Sequence, residues 1–315
     1  MLLKYISLLI MMIQIPLLAN TQFGYISYSG VNIGDDIQAI AAKQFLPKDS
    51  IPIDREYLDE FSYHKPVYTI MNGWYMHTKN NWYCQDQIPP EKSWPPSDDI
   101  CPLIISMHIT PTVYKEIFSP RGIAYLKKHG PIGARDLSTL KALQDRDIPC
   151  YFSGCLTLTL NNTNPKILRN NIIYAVDVDK TIVSYLRKHS KYPVVEVSHG
   201  IPREIYIARD NDQRISYAQN MLNKYAEAKC IVTARLHAAL PCLALKTPVL
   251  LIAGQTDRFH GLTELTHHTT KKELLEGRSG YDLNNPPENP DDYLKIRNAI
   301  IKKINDWKEK VLLDQ

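Results

Sequence analysis

The sequence alternates short strand-like apolar runs with amphipathic runs of helical spacing along most of its length. The run QFGYIS (22–27), for example, precedes DDIQAIAAKQFL (35–46), whose apolar residues recur at helical intervals. Strands that are separated by helices are joined by crossover connections, which make neighbouring strands parallel. Apolar runs without polar alternation suit strands that are buried on both faces. The sequence therefore predicts an α/β fold built on parallel sheets.

The predicted elements fall into two groups along the 315-residue chain. Further strands are predicted at 67–70, 102–108, 131–134, 150–153, 172–177, 193–199, 230–234 and 248–252, and further helices at 121–129, 137–146, 179–189, 213–228, 236–245 and 291–313. The polar stretch NNTNPKILRNN (161–171) interrupts the alternation. We therefore expect two Rossmann-like domains, at 20–165 and 166–315, with a terminal amphipathic helix in the second.

The N-terminus has a different character from the rest of the chain. Lys4 precedes an apolar run from Tyr5 to Ala19 that is too short to span a bilayer comfortably. The basic flank and the small residue at its end predict a signal peptide or short signal-anchor at 1–19. The alternative is a first buried element of the fold. The expected location is the secretory pathway or a membrane surface reached through the N-terminus, and placement on the cytoplasmic side stays open.

Residues 71–100 resist assignment, since they carry three tryptophans and four prolines without periodicity. Long irregular loops in compact domains are commonly functional. Exposed aromatic rings could stack on sugars, which makes Asn72 and Trp74 candidates for binding an acceptor. The alternative is a loop that merely covers the core.

Charge and cysteine usage exclude two classes of function. A net charge of +4 without a Lys/Arg run gives no reason to expect nucleic acid as a partner. The six cysteines form no CxxC pair, so zinc-finger spacing is absent from the sequence. Buried free thiols are the default expectation, and no metal or cofactor is predicted.

Ionisable residues follow four of the predicted strands, where parallel α/β sheets bind ligands. They are Asp35 and Asp36 in GVNIGDD, Arg135 and Asp136 in GARD, His199 in SHG, and Arg235 and His237 in TARLH. A helix N-terminus already favours anions, a guanidinium adds a fork that grips phosphate or carboxylate, and an imidazole can donate a proton. Structural roles remain open for each of them: the aspartates as helix caps, the arginines in ion pairs and the histidines in the core.

Three ordered segments resemble the polysaccharide pyruvyl transferase family. They are NIGDD near the start, PIGARDLSTLKALQDRDIPCYFSGCLTLTL midway and AKCIVTARLHAALPCLALKTPVLLIAG late in the chain. The resemblance covers roughly residues 25–265, and the late segment is its most specific part. It implies a glycosyltransferase-B-like architecture with the site between the two domains, the acceptor bound by the first and the donor by the second.

The resemblance also implies a reaction and a set of residues. Members transfer the enolpyruvyl unit of phosphoenolpyruvate to two hydroxyls of a sugar, forming a pyruvate ketal. By resemblance, the positions that hold the donor are Arg135, Arg235, Leu236 and His237, with Arg258 near the donor or acceptor and the Asp35 region lining the cleft. The chemistry independently favours His237 or His199 as the proton donor and Asp35 as the acceptor of a hydroxyl proton. The expected partners are phosphoenolpyruvate and a glycan or lipid-linked saccharide. Cys155 departs from the family, since relatives often carry an aspartate there.

Two other classes of function remain open at this point. A glycosyltransferase using a nucleotide-sugar would need a similar phosphate-binding helix start, although the chain has no Asp-x-Asp motif. A carbohydrate-binding module that has lost catalysis would rely on the tryptophan-rich segment. The retained arginines and histidines argue against the second of these.

Overall fold

Two parallel sheets form the framework of the computed structural model, which describes residues 21–75, 94–161, 168–254 and 259–314. The first sheet has the strand order β2-β1-β3-β4-β5-β6 and the second the order β11-β10-β9-β7-β8. The strands are β1 Gln22–Ser27, β2 Ile51–Asp54, β3 Val67–Tyr75, β4 Ile100–Ile109, β5 Ile132–Ala134, β6 Cys150–Phe152, β7 Ile173–Val176, β8 Val194–Val197, β9 Cys230–Thr233, β10 Val249–Ile252 and β11 His267–Thr269.

Helices connect successive strands, as parallel pairing requires. They are α1 Ile33–Lys43, α2 Tyr114–Ile117, α3 Pro120–Lys128, α4 Leu137–Gln144, α5 Lys180–His189, α6 Arg203–Ala208, α7 Asn211–Glu227, α8 Leu236–Ala244, α9 Lys271–Leu275 and α10 Tyr293–Leu313. Short 3₁₀ turns lie at Arg55–Tyr57 and Leu156–Thr159, among others.

The predicted α/β fold with parallel sheets is confirmed, and most predicted elements are present at nearly the predicted bounds. The sequence missed β2, β11 and the helices α2, α6 and α9, which are short. β2 also contains Pro52, which an edge strand tolerates but which weakens a strand pattern. Residues 71–75, expected to be irregular, continue β3 to Tyr75. The glycosyltransferase-B assignment and the boundary at 165/166 stay predictions.

Both sheets reverse their strand order beside their first strand. β1 lies between β2 and β3, and β7 lies between β8 and β9. The connections on the two sides of such a strand run in opposite directions, which opens a crevice at its carboxyl end. The segments that leave β1 and β7 are therefore where a ligand is expected.

The two sheets are joined at these carboxyl ends through the start of α1. Ile33 N donates to His199 O at 2.9 Å, and Ile201 N donates to Val31 O at 2.8 Å. An isolated β-bridge also links Asn32 to Gly200. These backbone bonds hold the first turn of α1 against the loop that follows β8.

The last helix returns to the first sheet. The ring of Trp307 meets Phe23 of β1 edge-on, with centroids 6.1 Å apart. A Cβ atom at Gly154 would lie 2.6 Å from Ile296, and Gly154 has φ +67, so glycine is required where α10 crosses this loop. The sequence prediction grouped α10 with the C-terminal domain, but these contacts are with the N-terminal half.

None of the described helices is long and apolar enough to cross a membrane. The predicted signal peptide or signal-anchor at 1–19 lies outside the described residues.

Candidate active site

The first turn of α1 carries a buried carboxylate at the junction of the two sheets. Asn32 caps the helix by accepting a hydrogen bond from Gly34 N at 3.0 Å, so neither Asp35 nor Asp36 is the cap. Asp35 is 4% exposed and lies 3.5 Å from Arg55 Nη1. Burial raises the pKa of Asp35, although the positive charge of Arg55 opposes the rise. A raised pKa makes this carboxylate a better proton acceptor.

Arg135 is a fully buried guanidinium that follows β5. Its side-chain nitrogens make no hydrogen bond to any other described residue. Asp136 Oδ2 lies 3.5 Å from its Nε, too far for a strong pair. Arg135 is also close enough to Asp35 for its charge to oppose the rise in pKa that burial causes there. Because a buried charge without good partners costs several kcal/mol (~3–5 kcal/mol when one partner of a pair is lost), Arg135 is poised for an anion.

His108, which the sequence analysis did not select, lies beside this guanidinium. Its Nδ1 is 2.6 Å from Asp136 Oδ2, and Asp136 also caps α4 through Thr139 N. Burial alone would raise the pKa of Asp136, but the hydrogen bond and charge of His108 hold it well below its ordinary value. A carboxylate that orients an imidazole in this way is a common device in acid–base catalysis. The signal in the sequence that could have identified His108 was its position near the end of an apolar strand.

Arg235 lies at the carboxyl end of the second sheet. It follows β9 and precedes α8, and its Nε donates to Asp177 Oδ2 at 2.9 Å. The other two guanidinium nitrogens have no hydrogen bond within the described part of the chain, and the side chain is 34% exposed. The predicted pairing with a carboxylate is therefore present, but it uses Nε alone. The carboxylate is that of Asp177, which follows β7. The terminal nitrogens of Arg235 remain available to a ligand.

The first turn of α8 brings His237 to α1. A Cβ atom at Gly34 would lie 3.1 Å from His237 Cβ and 3.2 Å from its Nδ1, so glycine at this position permits the approach. His237 therefore packs against Gly34, the residue that precedes Asp35. The Leu236 side chain is only 2% exposed and lies in the core, so a ligand can reach this residue only through its backbone.

A model of the polysaccharide pyruvyl transferase family matches residues 32–256. This range covers well over half of the chain and contains Asp35, Arg135, Arg235 and His237. The chain belongs to the polysaccharide pyruvyl transferase family. No curated protein matches it. A crystal structure of a functionally uncharacterised protein from Klebsiella pneumoniae is similar over 84% of this chain and 92% of that chain, with 14% identity and a TM-score of 0.46.

Membership in the pyruvyl transferase family does not favour the glycosyltransferase alternative. Arg258, the remaining predicted donor residue of this family member, lies outside the described residues. The segment that follows it returns to the site: His260 O accepts a hydrogen bond from Leu137 N at 3.1 Å, two residues after Arg135.

The surroundings of His199 do not suit the role of general acid, for which it was one of two candidates. Its side chain is buried, and its Nε2 lies 2.6 Å from the Tyr225 hydroxyl. Burial lowers the pKa of His199 to about 4, although the negative charge of Asp177 opposes the fall. The imidazole is therefore neutral at physiological pH, and its backbone carbonyl holds Ile33 of α1. These contacts favour a positioning role for His199 over a catalytic one.

Acidification is expected to destabilise the protein through His199. Its folded pKa of about 4 lies below its ordinary value of 6.5, so the unfolded state binds the proton first and stability falls from about pH 6.5 to 4. The full effect is about 3 kcal/mol at 1.36 kcal/mol per pKa unit. Urea unfolding of wild type and His199→Gln over this range measures it. Equal pH slopes for the two proteins would contradict the assignment.

The predicted acceptor residues of this transferase are buried. Asn72 is 0% exposed and donates from Nδ2 to Gln38 O of α1 at 3.2 Å. Trp74 is buried beside His108, and its indole nitrogen donates to the Thr110 hydroxyl. Trp94 is buried as well. These residues hold β3 and its neighbours in place and do not offer rings to a sugar, while residues 76–93 lie outside the described part.

The described cysteines of this transferase are free thiols, as expected, with Cys155, Cys230 and Cys242 buried and Cys101 and Cys150 half-buried. Burial raises the pKa of Cys155, whose Sγ lies 3.1 Å from Thr157 Oγ1. Burial therefore favours a neutral thiol at this position. Among the described residues, no cluster of three or more His, Cys, Asp or Glu side chains could hold a metal ion.

Proposed function

We propose that this family member transfers the enolpyruvyl unit of phosphoenolpyruvate to two hydroxyls of a glycan or lipid-linked saccharide, forming a pyruvate ketal. The observation that carries the proposal is the buried Arg135, whose three guanidinium nitrogens have no hydrogen bond to any described residue. A phosphate or carboxylate would match this planar fork with two parallel hydrogen bonds. Phosphoenolpyruvate supplies both groups on three carbons.

A second cationic side chain, that of Arg235, favours a donor with two anionic groups over a donor with one. The terminal nitrogens of Arg235 are open at the start of α8, and the N-terminus of that helix adds partial positive charge. We propose that one arginine holds the phosphate and the other the carboxylate, with Arg258 as a further donor contact. The site would then lie in a glycosyltransferase-B-like cleft between the halves.

The chemistry adds one proton to carbon and removes two hydroxyl protons, so it needs one proton donor and two acceptors, and the donor imidazole can regain its proton as the second acceptor. A proton added to the methylene carbon leaves an oxocarbenium-like centre, to which the first sugar hydroxyl adds as it loses its proton. Phosphate then departs with its bonding electrons, and the second hydroxyl adds and loses its proton to complete the ketal. We assign proton donation to His237, with His108 as the alternative, and acceptance of a hydroxyl proton to Asp35, whose pKa burial raises. The arginines stabilise the departing phosphate, and this scheme calls for no cofactor.

Release of phosphate from phosphoenolpyruvate that depends on a saccharide acceptor tests this function. Arg235→Ala and His237→Ala are each expected to reduce release at least about 10²-fold, as is typical when an anion contact or a general acid is lost. Arg187→Ala and His189→Ala are matched controls, because both residues lie on the surface of α5. Transfer of sugar from nucleotide-sugars without use of phosphoenolpyruvate would overturn the proposal, as would wild-type release by either site variant.

A further inference from the structure

A small pocket lies at the carboxyl ends of β1 and β2, next to the junction described above. It has a volume of about 120 Å³ and is closed on the far side by the connection between α6 and α7 of the other half. Its lining includes Ser27 at the end of β1, Ser29 after it, Asp54 at the end of β2, Tyr57, Tyr206 and Arg209. None of the sequence-predicted site residues lines it. The pocket has room for one sugar ring, and further sugar units of the same glycan would extend into solvent.

Two of the four charged side chains that line this pocket are already paired. Glu56 pairs with Arg55 at 2.6 Å, and Arg214 pairs with Asp36 at 2.9 Å. Of the remaining charges that line it, Asp54 accepts a hydrogen bond from Glu56 N at 2.9 Å. A carboxylate can accept about four hydrogen bonds, so Asp54 keeps capacity for ligand hydroxyls.

The other lining groups also suit a polyhydroxylated ligand. The side chain of Arg209 is exposed and has no hydrogen bond or ion pair to another residue in the described ranges. Tyr57 is 42% exposed, whereas Tyr206 is 5% exposed. Tyrosine combines a flat apolar face, which packs against the C–H face of a sugar, with a hydroxyl that reaches its oxygens.

The pocket is connected to the candidate active site by ion pairs. Glu56 lines the pocket and pairs with Arg55, whose Nη1 lies 3.5 Å from Asp35. A ligand here would therefore sit one layer of side chains away from the carboxylate that we assign to accept the hydroxyl proton. The two halves both contribute walls, so the ligand would span their junction.

We propose that this pocket binds one neutral sugar ring of the acceptor, with Asp54 accepting its hydroxyls and Tyr57 packing against its face. This inference rests on the proposed function for the identity of the ligand as the acceptor. It replaces Asn72 and Trp74, which are buried, as the acceptor contacts.

Direct binding of methyl hexopyranosides to the full chain, measured by saturation-transfer NMR without phosphoenolpyruvate, tests the pocket. Asp54→Asn and Tyr57→Ala are each expected to weaken binding at least about tenfold, the effect of losing one good contact. Asp179→Asn is the control for the change of charge: Asp54 accepts a backbone hydrogen bond at the start of a 3₁₀ turn and Asp179 does so at the start of α5, and asparagine caps about as well as aspartate.

The outcomes separate this pocket from the proposed function. Saccharide binding that Asp54→Asn and Tyr57→Ala weaken, and Asp179→Asn does not, supports the pocket even if phosphoenolpyruvate is never consumed. Saccharide-dependent phosphate release with unchanged acceptor KM in both variants overturns the pocket while the proposed function stands. Failure of every hexopyranoside to bind the wild type also overturns it.

Discussion

Replacing Arg135 by methionine is expected to stabilise the unliganded protein and to remove most of its activity. Methionine fills a similar volume without a charge, so the substitution removes the cost of burying a poorly paired guanidinium, which is on the order of several kcal/mol per ion. Asp136 keeps His108 as its partner and Asp35 keeps Arg55, so neither carboxylate loses its main contact. Phosphate release should fall roughly 10³-fold, because several hydrogen bonds to the anion are lost together.

Thermal unfolding with and without phosphoenolpyruvate measures both effects of Arg135→Met. The ligand should raise the melting temperature of the wild type, since binding to the folded state alone stabilises it, and should leave that of the variant unchanged. Arg121→Met, at an exposed position in α3, is the control for losing a guanidinium. A variant that unfolds more easily and still releases phosphate would show that Arg135 is a structural residue.

The α/β architecture could be predicted from the sequence because apolar runs and helical spacing reflect which residues are buried. The late segment predicted a strand, a turn and a helix at 230–245, and the structure places β9, Arg235 and α8 there. The segment at 71–75 was mistaken for a loop because Asn72 and Gly73 interrupt its apolar pattern. Asn72 is nevertheless buried, since its side chain bonds Gln38 O, a contact between distant residues that no local pattern reveals.

The candidate site was predictable only where its residues follow strands. Arg135, Arg235 and His237 occupy strand-to-helix junctions, a position that the chain order itself shows. Arg55 and His108 could not be predicted in this way, because Arg55 follows β2, a strand that the sequence did not reveal, and His108 lies inside β4. Their importance comes from partners more than ten residues away, Asp35 and Asp136, and such pairings depend on the tertiary fold.

Breaking the pair between Arg214 and Asp36 is expected to give the largest loss of stability. Arg214 of α7 donates to both carboxylate oxygens of Asp36, at 3.0 and 2.9 Å, and both side chains are nearly fully buried. It also donates to Gly30 O at 2.8 Å, so it ties α7 of the second half to the first. Arg214→Met leaves a buried carboxylate unpaired, which costs about 3–5 kcal/mol.

The pH dependence of this loss distinguishes it from a packing defect. Burial already raises the pKa of Asp36 to about 7 against the opposing charge of Arg214, so the pKa should rise further in Arg214→Met. A carboxyl whose folded pKa exceeds its ordinary value of 3.8 loses stability as the pH rises towards the folded pKa. The destabilisation relative to wild type should therefore be larger at pH 8 than at pH 5.

A double-mutant cycle in urea isolates the pair itself. Asp36→Leu together with Arg214→Met should be less destabilised than Arg214→Met alone, because no unpaired charge remains in the interior. Arg187→Met, which breaks an exposed pair with Glu196, should change stability by less than about 1 kcal/mol. If Arg214→Met is no worse than this control, or equally destabilised at pH 5 and pH 8, the buried pair does not hold the two halves together.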